Sequence, residues 1–214
     1  MFYDAISNDH GLKHDPFKAL VVPRPVGWVS TLSAAGIANL APYSFFNAVS
    51  ERPHFVMFAS GGPKDSLRNV EETGEFVCSL ATYALRHQVN LTSAVVPHGV
   101  DEFRLAGLTA APSRLVKPPR VKESPVALEC RHWKTVALPG GSERASYSVV
   151  FGQVVGIHID DAFIRDGMVD TGALQPIARL GYREYGVITS EAVFAIDRPQ
   201  VDAAGNVVAP KAAE

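Results

Sequence analysis

The sequence predicts a mainly β protein, organised as a closed or nearly closed antiparallel barrel with a few interposed α-helices. Segments rich in β-branched and aromatic residues recur along the chain and are separated by turn residues. These segments do not alternate regularly with helical segments, which argues against a doubly wound parallel sheet. A chain of 214 residues suits one domain, so we expect a single domain over residues 1–214.

The composition restricts the classes of protein to which the chain can belong. Hydrophobic residues make up 47% of the sequence and charged residues 20%, which is typical of a globular chain. A formal net charge of -2 without a basic block argues against nucleic acid or an anionic membrane as the main partner. No apolar run approaches the length of a membrane span, and no signal-peptide pattern is visible. We therefore expect a cytoplasmic protein, with Cys78 and Cys130 as reduced, buried thiols.

The first half of the chain predicts three strands after a polar N-terminal arm over residues 1–18. Residue types favour a strand from Val26 onward, and Gly36 suits the loop of a hairpin. The return strand covers residues 39–50 and is interrupted by a proline, which indicates an edge, a bulge or a kink. Residues 54–60 form a continuous apolar run, which predicts a third strand buried on both faces.

A Gly-Gly-Pro turn ends this run and precedes a predicted helix over residues 66–73. Asp65 or Ser66 is expected to cap its N-terminus, and Gly74 follows its C-terminus. The N-terminus of a helix favours phosphate, and Lys64 adds a full positive charge beside it. Taken alone, however, this segment is better explained as an ordinary capped surface helix with a solvated lysine.

The second half of the chain continues the same pattern of strands and short helices. Its predicted elements are a strand over 75–80, helices over 82–95 and 101–107, a long hairpin over 126–160 and a last strand over 193–196. Gly152 and Gly156 indicate bulges or close backbone approach in the hairpin. Residues 202–214 are predicted to form a flexible tail.

No motif that is specific for a catalytic reaction is present. The sequence lacks a Gly-x-Gly-x-x-Gly fingerprint after the first strand, a phosphate loop and a nucleophile elbow, so no catalytic residue is assigned. The histidine pair at metal-ligand spacing, His10 and His14, is assigned to the surface arm, and no metal site is predicted. Small polar residues lie among aromatic ones on two neighbouring strands, as a pocket for a flat heteroaromatic ring requires. Hydroxyls that alternate outward on half-exposed strands explain this pattern equally well.

An ordered set of segments resembles a known family. The segments are residues 23–31, 39–50, 64–69, 99–103, 152–161 and 179–185. In this combination they resemble the flavin-reductase-like, FMN-binding split-barrel family, and in particular its flavoredoxin-like branch. The resemblance implies an antiparallel, Greek-key split barrel that forms a homodimer and binds FMN near the dimer interface.

The resemblance also implies roles for particular residues. Lys64 and Ser66, in one motif with Asp65, would hold the FMN phosphate together with the helix amides, and Asn69 would brace that loop. The ribityl chain and the isoalloxazine edge would be contacted by Thr31, Asn47, Ala48, Val49 and Ser50, with Trp28 as a wall. Arg179 and Tyr185 would approach the site from the same chain or from the partner subunit.

The implied function is an FMN-binding oxidoreductase, namely a flavin reductase that passes hydride from NADH or NADPH to flavin N5 and supplies a monooxygenase or another acceptor. Shorter members of the family carry Gly-Asp-His where the nicotinamide is contacted, whereas this sequence has Ala145, Ser146 and Tyr147. The alternatives are an FMN electron carrier that does not itself oxidise NAD(P)H, and a flavin-free barrel that acts as a binding module.

Overall fold

A computed structural model of the protein describes residues 1–140 and 146–208. The strands are β1 Arg24–Pro25, β2 Gly27–Leu32, β3 Ala38–Tyr43, β4 Phe46–Glu51, β5 His54–Gly61, β6 Glu75–Leu80, β7 Ala110–Ala111, β8 Arg120–Val121, β9 Val126–Leu138, β10 Tyr147–Ile159, β11 Ile164–Arg165, β12 Met168–Val169, β13 Ile177–Arg179, β14 Tyr185–Val187, β15 Gln200–Val201 and β16 Val207–Val208. The α-helices are α1 Phe17–Leu20, α2 Asp65–Thr73, α3 Arg86–Leu91, α4 Glu102–Leu105 and α5 Thr171–Leu174.

Seven of these strands form one antiparallel sheet that closes almost completely on itself. Its order is β3-β2-β6-β9-β10-β5-β4. Strands β3 and β4 lie at opposite edges although only residues 44–45 separate them in the chain. The Ala59 N–H of β5 donates a hydrogen bond to the Phe45 carbonyl at 2.8 Å, which extends the pairing of β4 with β5 into this short connection. The structure therefore confirms the predicted antiparallel barrel with interposed helices.

The two faces of the barrel sheet pack into separate hydrophobic clusters. One cluster gathers Val29, Tyr43, Val56, Phe58, Val70, Phe76, Cys78, Cys130 and Val150. A second cluster covers the opposite face of β2 and β3 with α3 and α4, and it contains Val26, Trp28, Leu40, Ala81, Val89, Phe103, Val121 and Ile177. Both cysteines are free and buried, as predicted, and burial raises the pKa of the Cys130 thiol well above its ordinary value.

A buried carboxylate fastens the segment that crosses the surface between β7 and β8. Glu129 is fully buried in β9, and its carboxylate accepts from the Arg114 N–H at 2.7 Å and from the Leu115 N–H at 2.6 Å. His158 Nε2 lies 2.5 Å from the same group. Burial raises the pKa of Glu129, but these hydrogen bonds outweigh burial, so its pKa lies below the ordinary value.

Four sequence predictions need correction. The return strand over residues 39–50 is split into β3 and β4, because the chain bends at residues 44–45 to pass from one edge of the sheet to the other. Strand β5 is not buried on both faces, since buried and half-buried residues alternate along it. The predicted helix over 82–95 shrinks to α3, because the backbone at residues 82–83 pairs with residues 175–176 instead. Residues 193–196 form no strand in the described structure and leave Phe194 79% exposed.

The glycine bulges of the long hairpin are confirmed. The register of β9 against β10 shifts between Phe151 and Gly152 and again between Val154 and Gly156. Residues 200–208 form a small hairpin, and residues 209–214 of the predicted flexible tail lie outside the described residues, so tail flexibility stays a prediction. Among the described residues, none of the helices is both long and apolar enough to cross a membrane.

Replacing Gly152 by alanine is expected to destabilise the barrel by about 1–3 kcal/mol. A Cβ at this position would lie 2.3 Å from Cζ of Phe76, whose ring is fully buried and cannot move aside cheaply. The matched control is Gly186→Ala, where the nearest atom is 3.6 Å away and the expected change is within about 0.5 kcal/mol. Urea unfolding of the three proteins measures both effects, and equal stability of Gly152→Ala and wild type would contradict this packing.

The Glu129 carboxylate is expected to make stability depend on pH. Because its pKa in the folded chain is lowered, its contribution is fully present above the unfolded pKa of about 4.3 and is lost as the pH falls through the folded value. Glu129→Gln should cost about 1–3 kcal/mol at pH 7, since one buried N–H loses its acceptor. The difference from wild type should shrink at pH 3. Glu72→Gln, on an exposed face of α2, is the control, and a difference that stays constant with pH would contradict the assignment.

Candidate functional site

The N-terminus of α2 forms a positively charged end of the site. Gly62, with a φ of +69°, turns the chain after β5, and its N–H donates to the Ser146 carbonyl at 2.9 Å. Lys64 is the N-cap residue in an extended conformation, and no side chain caps the helix. Uncapped amides of the first turn point out of the helix, and with the Lys64 ammonium they favour an anion.

The prediction that Asp65 or Ser66 caps this helix is wrong, because both residues already lie inside its first turn. The Asp65 carboxylate instead contacts Arg68 at 2.5 Å and His98 Nδ1 at 3.2 Å. The Ser66 hydroxyl is buried and accepts a hydrogen bond from Asn39 Nδ2 at 2.9 Å. The first-turn amides therefore have no side-chain acceptor from these two residues.

Buried hydrogen bonds fix the helix to the barrel. Asn69 Nδ2 donates to Thr31 Oγ1 on β2 at 3.0 Å, and Asn39 on β3 holds Ser66. All four side chains are at most 7% exposed. The amide oxygen of Asn69 is also buried, and it has no hydrogen-bond partner among the described residues. Because these bonds are shielded from water, they set the position of the helix N-terminus relative to strands β2 and β3.

A first cavity of about 420 Å³ opens beside the helix N-terminus. This volume lies in the range of small-molecule sites. Its walls come from β3, from the start of α2, from the segment after α3 and from α4. The lining residues are Asn39, Ala41, Pro42, Tyr43, Pro63, Lys64, Asp65, Ser66, Thr92, Ser93, Ala94, Val95, Val96, His98 and Glu102.

Two buried ionisable side chains line this cavity. Glu102 is 6% exposed, accepts from the Leu40 N–H at 2.9 Å, and has a raised pKa because burial disfavours its charged form. Burial likewise raises the pKa of the Tyr43 phenol, although the hydroxyls of Ser66 and Ser60 nearby act in the opposite direction. The Lys64 ammonium lies 5.8 Å from the centre of the Tyr43 ring. The cavity thus combines a cation, an aromatic surface and a carboxyl group with a raised pKa.

A second cavity of about 410 Å³ lies next to the first, because Pro42 and Ser93 line both. Its other lining residues are Val26, Ser44, Asn90, Arg179, Arg183 and Tyr185. The Arg179 guanidinium stacks over the Tyr185 ring at 4.5 Å and donates to the Tyr182 carbonyl at 2.7 Å. We refer to these two neighbouring cavities together as the trough, with Lys64 at one end and these arginines at the other.

Other residues proposed from sequence lie away from this trough. Ala48, Val49 and Ser50 line a third, mostly apolar cavity of about 540 Å³, which shares no lining residue with the first two. Asn47 is exposed on the same edge strand, β4. Within one chain, the structure therefore does not bring these four residues together with Lys64 and Ser66.

Trp28 lies behind the trough and has no exposed surface of its own. It is fully buried in the second hydrophobic cluster, and its indole N–H donates to Thr92 Oγ1 at 2.9 Å. Thr92 in turn lines the first cavity. Trp28 consequently supports a lining residue and is not itself a wall in this structure.

The sequence analysis missed Tyr43, Glu102 and Arg183 as lining residues. Tyr43 and Glu102 belong to segments that carry the family resemblance, but neither sits in a recognisable site pattern. Arg183 lies in the glycine- and tyrosine-rich segment 180–186, and this composition is the sequence feature that could have indicated it. Among the described residues, no group of three or more His, Cys, Asp or Glu side chains is placed to hold a metal ion.

Comparisons with known proteins agree with this architecture. The model of the flavin reductase like domain matches residues 19–176. A protein of Halalkalibacterium halodurans is 36% identical over 186 residues, which is 85% of this chain and 88% of the relative.

Two solved structures resemble the whole fold. Nitrilotriacetate monooxygenase component B from Bacillus cereus superposes with a TM-score of 0.82 at 28% identity, over 92% of this chain and 98% of that chain. The 2-nitrobenzoate 2-nitroreductase NbaA of Pseudomonas fluorescens has a TM-score of 0.80 at 26% identity, over 95% and 100% of the two chains. The chain therefore belongs to the flavin reductase-like family of flavin-binding split barrels.

Proposed function

We propose that this protein binds FMN and acts as an NAD(P)H-dependent oxidoreductase. The observation that carries the proposal is the uncapped N-terminus of α2 beside Lys64, at one end of a trough large enough for a flavin. FMN differs from riboflavin by its phosphate, which carries between one and two negative charges near pH 7. A lysine ammonium together with free helix amides suits that group.

The residues of the first cavity fit the phosphate and the chain that carries it. Lys64 supplies the charge and Ser66 supplies a hydroxyl, while Asn69 and Thr31 hold the helix in place beneath them. Tyr43 adds an aromatic wall to the same cavity.

The chemistry would be that of the cofactor, since the nitrogen N5 of bound FMN can accept hydride from a reduced nicotinamide. The protein would contribute binding and orientation. The tightly bonded α2 would fix the phosphate end, and the aromatic rings of Tyr43 and Tyr185 would offer flat apolar surface along the trough. The Glu102 carboxyl, whose pKa is raised by burial, would offer an oxygen to a ligand in the first cavity.

We also propose a homodimer. The third cavity and its surroundings expose apolar side chains on β4 and β10, among them Val49 at 49% and Ile157 at 53%. Covering this surface with a second copy would bury it and would bring the partner's β4 towards a cofactor. Such an arrangement would give Asn47, Ala48, Val49 and Ser50 the flavin contacts that one chain alone does not offer.

We propose the setting of the reaction by analogy with one structural neighbour. The Bacillus cereus neighbour is the component B of a monooxygenase, so we propose that electrons pass from this protein to a partner oxygenase or another acceptor. We propose a cytoplasmic location, in line with the reduced thiols of Cys78 and Cys130.

An FMN electron carrier is the second candidate function. It is favoured by the residues at the nicotinamide position, where Tyr147 stands in place of the Gly-Asp-His motif. The Tyr147 ring packs against Phe45 at 5.7 Å and lies over Gly61, so it is engaged within the chain. Ala145 lies outside the described residues.

Lys64→Ala combined with Ser66→Ala is expected to weaken FMN much more than riboflavin. Each lost charge-assisted hydrogen bond should cost about 1.5–3 kcal/mol, and riboflavin does not make these bonds. Flavin fluorescence quenching gives both dissociation constants. Lys122→Ala, an exposed lysine outside the cavity, is the control and should change neither. Equal weakening of the two flavins would show that the phosphate binds elsewhere.

Mixing the FMN-loaded protein anaerobically with NADH or NADPH should bleach the flavin absorbance near 450 nm, because two electrons enter the isoalloxazine ring. The visible spectrum before and after each addition measures this. A protein that retains FMN but is bleached by neither nucleotide is a carrier. A colourless protein that does not retain added FMN would exclude both functions and favour a flavin-free binding module.

A further inference from the structure

The second cavity has a concentration of positive charge that the binding of FMN phosphate at Lys64 does not use. Two arginines, Arg179 and Arg183, line it, and its remaining walls hold only neutral side chains. A third arginine, Arg24, lies directly opposite Arg179 in the pairing of β1 with β13. No carboxylate within residues 1–140 and 146–208 forms an ion pair with any of the three.

Arg24 is buried and holds this region together through backbone carbonyls. It is 6% exposed, and its guanidinium donates to the backbone carbonyl of Val21 at 2.6 Å, to that of Leu180 at 2.9 Å and to that of Lys18. Burial lowers its pKa, and the positive charge of Arg179 acts in the same direction. Arg24 and Arg179 therefore repel each other, and an anion bound at Arg179 would relieve that repulsion.

The turn that presents Arg183 is rigid. Its backbone is closed by hydrogen bonds between Leu180 and Glu184 at 3.0 Å and between Glu184 and Gly181 at 2.9 Å. Tyr182 adopts a φ of +52°, an unusual conformation for a residue with a side chain. A Cβ on Gly181 would lie 2.6 Å from the Cβ of Ala19, so the turn packs directly on α1. Arg183 is thus an exposed side chain on a preorganised support.

The position of these charges relative to Lys64 indicates the ligand. The second cavity lies next to the first, with Pro42 and Ser93 in the walls of both, so a molecule held by the arginines would lie beside a flavin bound at Lys64. Two arginines with a third behind them suit a group with several negative charges better than a single carboxylate. Tyr185, 42% exposed, adds an aromatic surface at the same place.

We propose that the second cavity binds the phosphate groups of the nicotinamide dinucleotide that reduces the flavin, with Arg179 and Arg183 as the phosphate contacts. This inference rests on the proposed oxidoreductase function and names the substrate-binding part of it. The phosphates can be the pyrophosphate, common to NADH and NADPH, or the 2′-phosphate of NADPH.

Calorimetric titration of the FMN-loaded protein with two dinucleotide fragments tests this inference without flavin reduction. The fragments are adenosine 5′-diphosphoribose and its 2′-phosphorylated form. Arg183→Ala should weaken binding of the contacted fragment by about 10- to 100-fold, the usual loss for one charge-assisted hydrogen bond, and Arg183→Lys should recover part of it. Arg104→Ala, with a side chain 91% exposed outside the trough, removes the same charge and should have no effect.

The outcomes separate the possible contacts. Equal weakening of both fragments by Arg183→Ala identifies the pyrophosphate as the contacted group. Weakening of the phosphorylated fragment alone identifies the 2′-phosphate, and the KM for NADPH should then rise while that for NADH does not. Absence of binding of either fragment to the wild type at millimolar concentration, or unchanged binding in Arg183→Ala, would overturn the inference.

FMN affinity of the same variants separates this inference from the proposed function. Arg183→Ala should leave the dissociation constant of FMN within about twofold of wild type. If NADPH bleaches the flavin of the wild type but fragment binding does not depend on Arg183, the proposed function stands and this inference is wrong. If the wild type does not bind FMN, the proposed function is wrong, whereas fragment binding that depends on Arg183 would still support the anion site.

Discussion

The structure depends on the crossing of the chain from one edge of the barrel to the other at residues 44–45. Consecutive strands β3 and β4 lie at opposite edges of a seven-stranded sheet, and the hydrogen bond from Ala59 to Phe45 fixes the crossing to β5. The crossing also determines where ligands can bind, because it and the two strands that flank it contribute to the walls of all three cavities. Tyr43 faces the first cavity, Ser44 the second and Ala48 the third.

Two buried glutamates show how the same side chain serves opposite purposes in different surroundings. Glu129 accepts two backbone amides and lies against His158, so hydrogen bonds stabilise its charge and it fastens the surface segment to β9. Glu102 accepts one amide, from Leu40, and burial disfavours its charge. The Glu129 carboxylate therefore has a structural role. The Glu102 carboxyl faces the first cavity, where a carboxyl that is more readily protonated can interact with a ligand.

The trough carries positive charge at both ends, which suits two anionic molecules. One end combines Lys64 with helix amides, and the other holds Arg179 and Arg183 on a hydrogen-bonded turn. Tyr43 and Tyr185 add aromatic surfaces to its walls. Binding sites at both ends would allow a flavin and a nucleotide to lie along one continuous surface, which is what transfer between two cofactors requires.

The sequence by itself determined the strands, the hairpins and the family. Glu75–Leu80 and Val126–Leu138 have the predicted bounds, and Gly152 and Gly156 mark the predicted bulges. These features are local, because residue type and glycine positions fix strand character and bulges over a few residues.

Only the tertiary structure decided which of these elements meet. Residues 39–50 divide into two edge strands because the barrel must close, and residues 82–83 leave the predicted helix because they pair with residues 175–176. Trp28 is core and Glu102 lines a cavity, since burial depends on packing between segments far apart in sequence. The proximity of the Lys64 cavity to the Arg179 cavity, which share Pro42 and Ser93 as wall residues, is likewise a long-range property that no local pattern encodes.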